Sequence, residues 1–518
     1  MKTYIFICFS ILYFGFDALS QNQCLDPSFG NAGIVQLNFG TDSIFPKSIA
    51  LQQDGKIVVG SDILISHNRD FMLNRFNTDG SLDINFGNNG SFIFDFDNNS
   101  QDHLKKIIVL PSGKILIGGN SKIDSLHKFT FVRVNNTGTI DNTFGINGKI
   151  SHFVNLNEHH FLQDMVVNNL EKIDFVGQSG IEETDFYYNY SSFQQNYVVQ
   201  LNADGSIDNT FNNNGISLLP AVGNYLFANK IVLLQNQAIV VSGLKIPIMG
   251  GHHKVFVSKI NVNGVLDLSF GINGFSEMNS VTQTIVPKQL LIDVNDKIFV
   301  QANTGDNGVW LFNAWELNNS GVIENNIYYN YIFYFTNLFK NLTTFKYNGS
   351  YINFTDSYNY HDTIFAGDFK LFTINSQYNL ATNVCGQGEI FTGVAPDVQD
   401  SSVGAVMQAD NKFIQFGSSG FNTITLIRYL NTVFANNQEI FEDEKLPTIY
   451  PNPVCSAISI KNGKGQIQIT DITGRIIQTL SVNQDDISID VSAYGKGIYF
   501  ISFIDKNHQP FSLKFIKE

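Results

Sequence analysis

The residues best placed to do chemistry in this chain recur at a near-constant interval. Aspartates in Leu25-Asp26, Leu82-Asp83, Ile140-Asp141, Ile207-Asp208 and Leu266-Asp267 are separated by 83 − 26 = 57, 141 − 83 = 58, 208 − 141 = 67 and 267 − 208 = 59 residues. Each leads into a phenylalanine and a glycine turn, as in Asp83-Ile84-Asn85-Phe86-Gly87-Asn88-Asn89-Gly90. On the stretch ahead of each motif stands a polar series: Arg75, Arg133, Gln200, Lys259, Glu316, Thr373 and Arg428. Such a series could line a ring around a ligand. The plainer chemistry is pairing, in which Arg75 and Arg133 bind Asp83 and Asp141 and tie each turn to its own strand.

Other candidates are weaker. Asn77-Thr78-Asp79-Gly80 is rich in oxygen, but the bidentate carboxylate of a calcium loop is not at its spacing, so these residues read as turn formers. His152, His159 and His160 lie close together in the chain, and His252 and His253 lie in a later loop. Adjacent histidines on a strand point to opposite faces, so neither pair chelates one ion. No Gly-x-Ser-x-Gly, His-Glu-x-x-His or phosphate loop is present. No catalytic, cofactor-binding or metal-binding residue is therefore assigned, and no cofactor is expected. A catalytic site would need convergent carboxylates, or a nucleophile and base, at one mouth of a ring. The place to seek it is the degenerate sixth and seventh units, with their aromatic run Tyr328-Tyr329-Asn330-Tyr331.

The elements that position these residues are strands. Phe 46, Tyr 20 and abundant Asn and Gly favour strands and tight turns, and 43% hydrophobic residues allow a large core. In the first unit 47–52, 56–60, 71–76 and 91–96 read as four strands, the first two joined by the hairpin signal Asp54-Gly55. Four antiparallel strands in such a period make a propeller blade. Equivalents of the second strand follow Asp54-Gly55-Lys56, Ser112-Gly113-Lys114, Leu170-Glu171-Lys172, Asn236-Gln237-Ala238, Asn295-Asp296-Lys297, Asn348-Gly349-Ser350 and Asp410-Asn411-Lys412, which counts seven units. The spacing outlives the motif, since Glu324 sits 324 − 267 = 57 residues on and Ala381 another 381 − 324 = 57. The chain opens on a lone fourth strand, 33–37, and its seventh unit stops at a third, 425–429. These fragments predict a seven-bladed β-propeller of four-stranded blades closed by the N-terminal strand, with both sheet edges covered.

The Asp-Gly-Lys-Ile-Val-Val strand, Arg-Phe-Asn-x-x-Gly-x-Leu-Asp and Phe-Gly-x-x-Gly together resemble the delta-60 repeat family of bacterial secreted proteins, over 23–435. The resemblance implies a propeller and a secreted or surface setting, and it transfers no catalytic residue.

Residues 1–20 read as a secretory signal: Lys2, an apolar run from Tyr4 to Phe16, then Ala18-Leu19-Ser20. The run is too short to cross a bilayer, and later apolar stretches are broken by Asn and Gln, so no transmembrane helix is expected after signal removal. Of four cysteines Cys8 leaves with the signal, and Cys24, Cys385 and Cys455 are then an odd, scattered set, read as neither a disulfide framework nor a metal cluster. A formal charge of −14 argues against nucleic-acid binding.

Residues 436–446 form an acidic linker, and 447–518 alternate strands with glycine turns as a small C-terminal β-sandwich. Tyr450-Pro451-Asn452-Pro453, Asp471-Ile472-Thr473-Gly474-Arg475, Gly495-Lys496-Gly497-Ile498-Tyr499 and the basic end Lys514-Phe515-Ile516-Lys517 closely resemble the C-terminal sorting domain of type IX secretion. That resemblance implies the type IX machinery as partner, export across a Gram-negative outer membrane, and removal of the tail as the product is released or linked to the surface. The chain is thus expected to be a secreted or cell-surface binding or scaffold propeller with a glycan or protein ligand. The alternative is a carbohydrate-active enzyme with its site at the channel mouth, because fold alone does not separate the two.

Overall fold

A computed structural model describes residues 24–152, 154, 157–180, 193–221, 224–248, 251–279, 284–306, 309–328, 333–334, 342–347, 350–358, 367–374, 389–394, 400–430, 448–450, 454–461, 465–471, 475–482, 486–504 and 510–517. The signal segment, Tyr329 to Tyr331, Cys385 and the linker lie outside these residues. The chain divides into two compact units, Met1–Asn436 and Asn437–Glu518.

The first unit is all β. Its first sheet runs Ser43–Leu51, Ile57–Ile65, Asn68–Phe76, Ser91–Phe94, each strand antiparallel to the last. Six further sheets follow the same meander among the described residues, with first strands Asp102–Val109, His159–Val167, Asn224–Leu233, Thr284–Ile292, Leu342–Tyr347 and Asp400–Met407. The second strands are covered on both faces: Ile57 to Ile63 are buried without a break, as the apolar run after Asp54-Gly55 predicts. Gly55 makes that turn at φ 83°. Where later units lack glycine, Glu171, Gln237, Asp296 and Asn411 still take positive φ at the same point, so the turn geometry persists without the residue that favours it. Fourth strands are short, four residues in Ser91–Phe94, which leaves little open edge.

The N-terminal strand Ile34–Asn38 pairs antiparallel with the last strand of the seventh sheet, Thr423–Tyr429, in the register Gln36↔Thr425. Packing between sheets is equally regular. Phe86 of the first sheet shares a core with Ile117 and Val132 of the second, and Phe144 of the second with Phe175 and Val199 of the third. Ile414, Phe416 and Leu426 of the seventh pack with Ile57, Val59 and Met72 of the first. The first strands touch one another in chain order, and the last touches the first. Burial of each such phenylalanine contributes about 2–3 kcal/mol.

Polar side chains buried between sheets accept or donate across the seams. Asp62 accepts the Leu104 N–H at 2.7 Å, Asn120 the Leu162 N–H at 3.1 Å and Asn196 the Ala228 N–H at 2.9 Å. All three contacts fix the next first strand just before an irregularity in it. Six of the seven first strands carry a β-bulge, between Pro46 and Ser48, Leu104 and Lys106, Leu162 and Asp164, Ala228 and Lys230, Pro287 and Gln289, and Ser402 and Gly404.

Cys24 is buried and disulfide-bonded, with its partner outside the described residues. This corrects the reading of the cysteines as unrelated. Disulfides join residues close in space, and scattered sequence positions carry no sign of that proximity.

The second unit holds two sheets around one core. Thr448–Tyr450, Ala457–Lys461 and Asp486–Asp490 form one, and Ile476–Val482, Gly465–Asp471, Gly497–Ile504 and Pro510–Lys517 the other. Ile458, Ile460 and Ile489 from the first meet Ile467, Ile469, Ile501 and Phe515 from the second. Arg475 Nε reaches Asp471 Oδ2 at 3.1 Å across the expected Asp-x-x-x-Arg hairpin.

Candidate functional site

The recurrent aspartates are structural clamps. Asp83 Oδ2 takes Arg75 Nε and Lys56 Nζ, both at 2.8 Å; Asp141 takes Arg133 at 2.6 Å and Lys114 at 2.8 Å; Asp26 takes Arg428 at 3.0 Å and Lys412 at 2.9 Å. Lys259 pairs with Asp267 at 2.9 Å, and Lys172 with Asp208. Gln200 departs from the series by donating to Asp174 at 2.7 Å, and Glu316 instead receives Lys297 at 3.0 Å. Thr373 is buried and joins no ion pair. The pairing reading of Arg75 and Arg133 is borne out. Sequence reasoning missed the second cation, although Lys56, Lys114, Lys172 and Lys412 all follow the hairpin turn it used for counting.

Each basic head also crosses to the next sheet. Arg75 donates to the Asn136 carbonyl, Arg133 to Ala203, Lys259 to Asn319 and Arg428 to Thr78. The guanidinium groups of Arg75, Arg133 and Arg428 lie 4.4–4.7 Å from the rings of Phe86, Phe144 and Phe29. Burial opposes ionisation of Asp26, but Ser28, Lys412 and Arg428 outweigh it and hold its pKa at about 2. Asp83, Asp141 and Asp208 are lowered against the same opposition from burial, and Asp267 is lowered first by Ser269 and Lys259.

The Asn77 to Ser81 segment is a turn, as expected: Asp79 Oδ1 accepts the Ser81 N–H at 2.9 Å and the Ser81 hydroxyl at 2.7 Å. His159 and His160 do point apart. His159 Nδ1 lies 3.1 Å from His127 Nδ1, whereas His160 packs edge-on to Phe129. One carboxylate group went unread in the sequence: Asp70, Asp95 and Asp102 bring oxygens within 4.8 Å of one another, a donor set that could hold a hard cation. Asp102 is already bonded by the Phe96 N–H at 2.8 Å and the Ser100 hydroxyl at 2.7 Å, and burial raises its pKa to about 6.

The charged cluster set apart from these clamps lies at the bulges. Lys47, Lys105, Gln163, Asn229, Lys288 and Val403 are the extra residues, and Lys106, Asp164 and Lys230 follow directly. A bulge re-aims the side chains beside it. Lys106 Nζ binds Asp164 Oδ1 at 2.6 Å, Lys105 Nζ reaches the Gln163 amide oxygen at 3.4 Å, and Asp164 Oδ2 accepts the Ile231 N–H at 3.3 Å. Desolvation, then Lys230 and Lys47, outweigh Asp164 and push the Lys105 pKa down to about 8, although the residue keeps an exposed surface. Lys230 is lowered by desolvation and by Lys106, against Asp164. Cations from three sheets thus act on one another around one carboxylate. The spacing 105 − 47 = 58, 163 − 105 = 58, 229 − 163 = 66 and 288 − 229 = 59 follows the aspartate period, a signal that aligning the first strands would have exposed.

Residues 448–518 match the family described as "Secretion system C-terminal sorting domain", and 52–86, 110–144 and 184–211 match "Domain of unknown function (DUF5122) beta-propeller". The chain therefore carries β-propeller repeats followed by a type IX secretion sorting domain. That domain marks it for secretion and attachment at the outer cell surface. No curated protein matches it. Among solved structures, a catalytically inactive virginiamycin B lyase from Staphylococcus aureus with quinupristin is 12% identical, covering 77% of this chain and 99% of that one at TM-score 0.40. The polysaccharide lyase Uly1 is 9% identical, with coverage of 75% and 90% and TM-score 0.43. PorZ, a surface component of the type IX system of Porphyromonas gingivalis, is 9% identical, with coverage of 91% and 81% and TM-score 0.25. Likenesses this distant carry no argument about activity.

Proposed function

We propose that residues 23–435 form a closed seven-bladed propeller that binds or scaffolds a ligand at the surface of a Gram-negative cell, after a signal peptide and the sandwich-like sorting domain at 447–518 have directed its export. The cyclic order of first-strand contacts and the pairing of Ile34–Asn38 with Thr423–Tyr429 support closure. The disulfide at Cys24 suits an oxidising compartment. One observation favours binding over hydrolysis. At the bulge cluster Asp164 is held by Lys106 and two backbone N–H groups and stands among lysines, whereas glycoside hydrolysis needs a second carboxylate beside the first.

The test is a glycan-array assay of the purified full chain, with reaction products monitored in parallel. Saturable binding without product is the expected result. Release of product from any bound glycan would overturn the binding account in favour of a carbohydrate-active enzyme.

A further inference from the structure

We propose that Lys47, Lys105, Lys106 and Lys230 form a site for a small multivalent anion, a ligand carrying two or more carboxylate, sulfate or phosphate groups. The inference rests on the binding account and names the chemistry of its ligand. Three ammonium groups, those of Lys105, Lys106 and Lys230, act on one carboxylate, Asp164, which leaves 3 − 1 = 2 positive charges, and Lys47 adds its field at Lys105, in a chain whose net charge is −14. Asp62 does not remove the excess: it lies 3.8 Å from Lys47 Nζ but is bound closer, at 3.1 Å, by Arg69, and it accepts the Leu104 N–H. His103 Nδ1 also stands 3.8 Å from Asp62. Among the described residues Lys105 hydrogen-bonds the neutral Gln163 amide, and Lys230 shares the charge of Asp164 with Lys106, which holds that carboxylate at 2.6 Å.

The fold does not require lysine at these places. Gln163, Asn229 and Val403 occupy the position of Lys47 and Lys105 in other sheets, and Ser48, Asp164 and Gly404 that of Lys106 and Lys230, so a bulge also forms without lysine at either position. Crowded, partly desolvated ammonium groups repel one another and weaken folding. Their cost is offset when an anion enters and replaces the missing countercharge. Lysine heads on flexible stems suit a compact ligand with several anionic groups better than one planar carboxylate.

The experiment is a thermal-shift and calorimetric titration of the full chain with citrate, pyrophosphate and an oligogalacturonate, glucose serving as the uncharged control. The three probes separate a free polycarboxylate, a phosphate and an acidic sugar. At least one anion is expected to raise the melting temperature saturably, by mass action on the native state. Its affinity should fall about tenfold or more in Lys105→Gln with Lys230→Gln, and stay unchanged in Lys496→Gln of the second unit. Lys47→Gln supplies the same readout if the double variant does not fold. The site is overturned if no probe binds, or if binding survives these substitutions. Saturable binding of a neutral glycan on the array, with no anion response, would sink the anion site and leave the binding account standing.

Discussion

Asp83 receives two cations on one oxygen while Arg75 reaches on to the neighbouring sheet, so this clamp ties two strands of one sheet to two turns. Removing it strands a guanidinium that is only 8% exposed. Asp83→Asn is therefore expected to cost about 3–5 kcal/mol, read as a lowered urea midpoint, whereas Asp79→Ala in the exposed turn should cost under about 1 kcal/mol. Equal effects would show that the clamp holds the fold no more firmly than the exposed turn does. The clamp aspartates, their carboxyls held low, contribute stability above the unfolded value near 3.9. That contribution is lost as pH falls through the folded values, about 2 for Asp26. At this scale the aspartates and their arginines were legible because type and interval repeat together. The lysine cluster went unread because its residues converge through bulges, whose mark in the sequence is a shared interval along the first strands and no local motif.

Strands, hairpins and the unpaired N-terminal element were legible in the chain, since apolar runs, Asp-Gly turns and a missing fourth strand each have a direct sequence signature. The bulges and the Cys24 disulfide were not, because both depend on what lies alongside in space. The Phe-Gly turn shows how tightly neighbouring sheets meet. Gly87 donates its N–H to the Thr137 carbonyl at 2.9 Å, sits at φ +55°, and leaves a Cβ only 2.2 Å from the Ser91 carbonyl oxygen. Gly40, at φ +69°, has nothing within 4 Å of an added Cβ. Gly87→Ala should thus destabilise by about 2–4 kcal/mol and Gly40→Ala by only about 1–2 kcal/mol, measured by chemical denaturation. A reversed order would mean that the turn is not packed against its neighbour.

Over the whole molecule, two groups of carboxyls pull the pH profile in opposite directions. Burial raises Asp174 to about 7 and Asp400 to about 6. Such groups bind a proton in the folded state that they lack when unfolded, so stability falls as pH rises from about 4 to 7. Combined with the clamp aspartates, this predicts a melting temperature higher near pH 5 than at pH 7.5, and falling again below about pH 4. A profile that rises steadily from pH 5 to 7.5 would contradict the placement of the buried carboxyls. Fold class and export signal were the most legible features of the chain at this scale, because strand periodicity and the C-terminal motifs are local. The ligand was the least legible, because it depends on side chains drawn from separate sheets.

The ring itself is tested most directly by a cross-link between its ends. Gln36 and Thr425 face each other in the closing strand pair. In the full chain carrying Gln36→Cys and Thr425→Cys, mild oxidation is expected to give an intramolecular disulfide joining residues 36 and 425, identified by peptide mass spectrometry, in protein that stays monomeric. Failure of that linkage to form within one chain, or its appearance only between chains, would contradict a ring closed by its own N-terminal strand.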